Sequence, residues 1–326
     1  MRTLVLALLL TTRLATADVL VVANRGSNTA TVIDPVSMTV LGTAPAGPQP
    51  HEVAISTDGR FAYTTNYING TGSTLTVIDL GTRTIAKTID TGLVGPHGIL
   101  LREGKLYFTA ESSSAVGRYD PETDRVDWIG HTAAGGAHML AMPSDASTVY
   151  GGNIQNGSLS IVDVEEDGES VARRTIPTVA FAEGIALSPD GAEVWTGSVQ
   201  GFGMAVVDVA TETVVARFAQ GLNAYRIVFT SDGRFALVPR GNTVVVYDAA
   251  SRTVNRTISF ADRGQPLSII IPTGSKFAWI STANPHRVEK LDLETFALVA
   301  SVPAGPLPDG MAYYMEPGNR RRATRR

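Results

Sequence analysis

The sequence predicts an all-β fold: a seven-bladed β-propeller with four antiparallel strands per blade. Three observations predict it. A β-branched run ending in aspartate recurs seven times, closing at Asp34, Asp79, Asp120, Asp163, Asp208, Asp248 and Asp292, at intervals of 40 to 45 residues. Asp-Gly turns separate short apolar runs at 58–59, 190–191 and 232–233; glycine accepts positive φ there at little cost, which makes the pair a hairpin signal. No long window carries the 3.6-residue period of a helix. Four short strands in about 43 residues make one propeller blade.

Each unit runs in one order. A first apolar strand (VAIS, IALS, IVFT) meets the turn, and a second follows (FAYTTN, EVWTGS, FALVPR). A polar loop, the strand ending in aspartate and a last strand such as RTIAKTID complete the unit. The chain begins part-way through a unit, at VLVVANRGSNTATVID, and finishes on an unpaired first strand, PDGMAYY at 308–314. That C-terminal strand is expected to join the N-terminal blade and close the ring, which leaves fewer exposed edges. One propeller domain over 18–316 then uses the whole body.

The flanks read differently. Arg2, the apolar run Leu4–Leu10 and Ala15-Thr16-Ala17 fit a signal peptide over 1–17, so a periplasmic or secreted protein is expected. Residues 317–326 are expected to be a disordered basic tail. The 326-residue chain is 44% hydrophobic and 18% charged, which suits a globular body with a full core. It has no cysteine, which excludes disulfides and thiolate chemistry. No other segment matches a membrane span. The net charge is −4, but setting aside Arg2, Arg13 and the five arginines of the last eleven residues leaves −11. So acidic a body argues against nucleic acid as a partner. The expected partners are a small-molecule ligand or a protein, and the expected state is a monomer.

ANRGSNTATVID, with TTNYINGTGSTLTVID and GGNIQNGSLSIVD, resembles the YVTN repeat of extracytoplasmic seven-bladed propellers. The resemblance covers 19–315. GKLYFTAESSSAVGRYDPETDRV (104–126) is also similar to streptogramin-lyase-type repeats. The resemblance implies the fold; such propellers include binding modules, lactonases, lyases and electron-transfer proteins. It also implies that the residue after the proline (alanine in three units) that opens each first strand faces the mouth of the central channel.

That position is filled in turn by His51, His97, His138, Glu183, Tyr225, Leu267 and Asp309. Three of the chain's five histidines fall in this ring of seven. His51, His97, His138 and Glu183 form a candidate metal set, for a divalent ion such as Zn²⁺, Fe²⁺, Mn²⁺, Cu²⁺, Mg²⁺ or Ca²⁺. The same ring, with Arg226 and Arg240, forms a candidate ligand site, and Tyr225, Asp309 and Glu111 are candidate acids or bases.

The position after the ring is usually small (Gly98, Gly184, Gly310), so Glu52 and Arg226 are expected between adjoining blades, Arg226 also being able to anchor an anion. A second ring, at the end of the second strand, holds Asn24, Asn66, Ala110 with Glu111, Asn153, Ser198, Arg240 and Thr282. Its asparagines read as structural, Glu111 and Arg240 as functional. Tyr67 in the longer loop 66–73 and His131 are further candidates, and His286 reads as solvated. No Walker, dinucleotide, HExxH or GxSxG motif occurs. The expected function is an exported binding propeller; the alternative is a metal-dependent lactonase, lyase or hydrolase on the same ring.

Overall fold

A computed structural model describes residues 17–221 and 223–319. Apart from Ala17, the expected signal peptide lies outside the described residues, as do 320–326 of the basic tail. Residues 317–319 close the described body, where Asn319 Nδ2 donates to Asp18 Oδ1 at 3.0 Å.

Among the described residues, seven sheets follow one another around a central axis. Their innermost strands are Pro308–Tyr314, Pro50–Ile55, Pro96–Arg102, Ala137–Ala141, Ala182–Leu187, Val228–Phe229 and Gln265–Ile270, for blades one to seven. The strand Pro308–Tyr314 pairs antiparallel with Val19–Asn24. The C-terminus therefore closes the ring through the N-terminal blade, as the unpaired sequence strand predicts. Blade three has an addition that the repeat does not show. Gly168–Val171, an excursion of blade four, pairs parallel with the outer strand Arg125–His131.

Strand alternation builds the core between blades. In blade one, Val21, Ala23 and Val32 pack with Val53, Ile55 and Ile78 of blade two. The alternate set, Leu20, Val22 and Ile33, packs with Trp279, Val288 and Val302 of blade seven. Each such fully buried aliphatic side chain contributes about 1.5–3 kcal/mol, so both faces of a blade hold the ring together.

The most visible repeat residues are scaffold. The recurrent aspartate caps the turn that follows it. Asp34 Oδ1 accepts Val36 N and Ser37 N, and Asp292 Oδ1 accepts Glu294 N and Thr295 N. The asparagines of the second ring tie two strands, as expected. Asn66 Nδ2 donates to Thr74 Oγ1 at 2.8 Å and Thr76 Oγ1 at 2.9 Å; Asn24 and Asn153 repeat the arrangement.

Asn66 is buried, so truncation strands two hydroxyls. Asn66→Ala is expected to cost about 1–3 kcal/mol, read as a lower thermal midpoint, whereas Gln200→Ala in an exposed turn should leave it unchanged.

Candidate functional site

The channel-facing ring is set by a repeated backbone device. In six of the seven innermost strands a register shift inserts one extra residue at the ring position. A bulge bends the strand and re-aims a side chain, here into the channel. The amide freed beside it finds a hydroxyl in three blades. Glu52 N donates to Thr65 Oγ1, Gly98 N to Thr109 Oγ1 and Ser268 N to Ser281 Oγ. Those hydroxyls donate onward to the carbonyls of His97, His138 and Asp309 in the next blade. Each relay fixes the neighbour's ring residue.

The three histidines come together. The His97 and His138 rings stack with centroids 3.7 Å apart at 30°, and His51 lies 4.5 Å from His97. Tyr67 covers them edge-on, 4.8 Å from His51 and 4.9 Å from His97. Its hydroxyl donates to Glu111 Oε2 at 2.9 Å, and His138 Nδ1 lies 2.6 Å from the same oxygen. Burial alone would push Glu111 up, but hydrogen bonds from His138 and Tyr67 outweigh it and hold the carboxyl low. Burial lowers His51 to about 4, with Asp309 opposing and Arg25 adding to the shift. His97 is held well below its usual value by burial and by neighbouring positive charge. Its Nδ1 is buried without a hydrogen-bond partner.

Beside the stack lies a buried ion cluster. Arg226 Nη2 donates to Glu52 Oε1, its Nη1 reaches Glu183 Oε1 at 3.0 Å, and Asp309 Oδ1 lies 3.8 Å from Nη2. Glu52 stands in blade two and Arg226 in blade six, with two blades between them one way and three the other. The contact therefore crosses the channel: Glu52 and Arg226 bond between blades, as expected, but the blades are not adjoining ones. Gly310 makes room for it: a Cβ there would stand 2.3 Å from Glu52 Oε2. Asp309 also lies 3.4 Å from His51 Nδ1 and 3.7 Å from Arg25 Nη1.

The other candidates are placed as follows. Arg240 donates to Asn223 O, Ala219 O and Tyr247 Oη, and so fastens the backbone at Ala219 and Asn223. Three protein oxygens thus engage its donors. The Tyr225 hydroxyl accepts from Asn223, and its carbonyl accepts from Arg226. His131 sits half-exposed on the outer strand of blade three against Glu169, away from the mouth. His286 Nδ1 accepts Leu307 N. Glu183 is held by Arg226, and imidazoles stacked face to face run their in-plane lone pairs side by side. Ligation instead needs convergence within about 2.0–2.2 Å of one ion. Among the described residues no group of three or more His, Asp and Glu side chains is arranged to hold a metal ion.

Arg25 escaped the sequence reading, whereas Tyr67 and Glu111 were candidates whose shared position was not recognised. Arg25, Tyr67 and Glu111 each follow the second-strand end of consecutive blades, after Asn24, Asn66 and Ala110, so a third ring was readable one position further on. Phe181 and Phe202 stack with centroids 6.0 Å apart, both exposed, beside Glu183 on this face. Further openings lie at the opposite end of the channel. Two overlapping cavities of about 950 and 800 Å³ are lined there by the far ends of the innermost strands.

Stability should report the neutral imidazoles. His51 titrates near 4 in the fold against 6.5 ordinarily. Between those values the unfolded chain binds a proton that the fold refuses, so stability rises with pH and is lost as pH falls toward 4. Burial pushes Glu52 up to about 7, which acts in the opposite sense, so the difference between variants is the clean readout. Between pH 7 and 4 the wild type is expected to lose roughly 2–3 kcal/mol more than His51→Gln in urea unfolding. Parallel pH profiles would contradict this assignment.

No family model and no curated protein matches the chain. Among solved structures, a chain of Kuenenia stuttgartiensis hydrazine synthase is similar with a TM-score of 0.70 and 20% identity, over 81% of this chain and 89% of that one. At that identity the likeness shows the fold: this chain is a seven-bladed β-propeller.

Proposed function

We propose that the protein is an exported, monomeric binding propeller that takes a small cationic or hydrogen-bond-donating organic ligand at its histidine face. The single observation that carries this reading is the His51–His97–His138 stack. Burial keeps His51 and His97 neutral, and a neutral imidazole offers one acceptor nitrogen. His97 Nδ1 has no partner within the protein.

The surroundings support the same ligand class. Glu52, Glu111, Glu183 and Asp309 outnumber Arg25 and Arg226 there, which favours a positive ligand. The exposed Phe181–Phe202 pair offers aromatic faces to a cation. The likeness of ANRGSNTATVID and its counterparts to the extracytoplasmic YVTN repeat supports export. A second reading is an acid–base enzyme on this face, favoured by the Tyr67–Glu111–His138 hydrogen-bond chain.

Calorimetry with benzylamine and choline, against benzoate as control, tests the proposal. The amines are expected to bind, with at least tenfold loss in His97→Ala and in Phe181→Ala. Benzoate binding as well as the amines would overturn it. Stoichiometric divalent metal in untagged protein, lost in His51→Ala/His97→Ala/His138→Ala, would replace it with a metal centre.

A further inference from the structure

We propose a second ligand site at the opposite end of the channel, built for a small monocarboxylate with an apolar body and anchored by Arg102. The two cavities there share Arg102 in their walls. The larger, about 950 Å³, is of a size that holds small organic molecules. Its walls include Leu100, Leu101, Met142, Leu187, Phe229 and Ile271.

Half-buried Arg102 has fewer protein partners than the buried Arg118, Arg226 and Arg240, although Arg226 Nε also lacks one. Arg118 is paired with Asp127, Arg226 with Glu52 and Glu183, and Arg240 with three protein oxygens. Arg102 makes no ion pair among the described residues; its Nη1 donates only to the carbonyl of adjacent Leu101 at 3.0 Å, and its Nε is buried without a partner. A guanidinium stays charged, and leaving a charge half-buried and uncompensated is unfavourable. The other charged residues of the larger cavity, Glu103 and Asp190, are exposed at the rim. Asp190 is engaged by Ser188 Oγ at 2.6 Å and Ala192 N at 3.0 Å within its own turn.

The N–H groups of Arg102 that no protein group engages, set among apolar and small polar walls, select the ligand. A guanidinium and a carboxylate match in a planar, bidentate geometry. A single cation compensates a single negative charge, so a monocarboxylate fits better than a dianion. The aliphatic and aromatic walls favour an alkyl or aryl body. This site lies apart from the histidine face and requires the opposite charge in its ligand.

Calorimetry with octanoate and octanol on the full protein tests the assignment. Octanoate is expected to bind at least tenfold more tightly than octanol. Arg102→Gln should reduce that preference below threefold while keeping the thermal midpoint, and Leu187→Trp should weaken both ligands by narrowing the funnel. His97→Ala should leave octanoate binding unchanged, which separates this site from the one above. Equal binding of acid and alcohol, no binding of octanoate at millimolar concentration, or an unchanged preference in Arg102→Gln would overturn the proposal.

Discussion

The buried guanidinium of Arg226 is the contact on which the channel's architecture depends. It joins Glu52 across the axis, holds Glu183 of the neighbouring blade and stands close to Asp309. Four blades thus meet in one cluster. Desolvating these charges is unfavourable, and their mutual attraction offsets it only with close geometry and satisfied hydrogen bonds. The backbone supplies the close geometry: the bulges aim the carboxylates inward, and Gly310 leaves the gap that Glu52 occupies, while Arg226 Nε stays buried without a partner. The neighbouring histidines stand beside a fixed positive charge, which combines with burial to keep His51 and His97 unprotonated.

This cluster also gives the channel two unlike ends. At the histidine face, acceptors and carboxylates predominate and Tyr67 covers the imidazoles. At the far end, the innermost strands finish in apolar side chains around the unpaired Arg102. The repeat makes such a division possible. Blade packing and turn chemistry are repeated seven times, whereas each ring position is free to carry a different side chain.

What the sequence made legible was whatever the blades share. The aspartate-capped turns, the Asp-Gly hairpins, the strand-tying asparagines and the closing strand all follow from local rules acting in register. The ring of His51, His97, His138, Glu183, Tyr225, Leu267 and Asp309 was legible for the same reason, since one bulge recurs at six of those positions. What stayed hidden depended on distances across the ring. Glu52 and Arg226 are 174 residues apart, and their pairing follows from how narrow the channel is, which no single blade encodes. Arg240 stood out because it breaks a pattern; in the fold its donors hold the connection between blades five and six at Ala219 and Asn223. The strand Gly168–Val171 occurs once, so the repeat gave no sign of it.

A double-mutant cycle on Glu52→Gln and Arg226→Met tests the cross-channel cluster most directly. Arg226→Met alone strands Glu52 and Glu183 and should cost about 3–5 kcal/mol. The double variant should be less destabilised than the sum of the two singles by more than about 1 kcal/mol. Additivity within about 0.5 kcal/mol would mean that the two side chains do not act on each other across the channel.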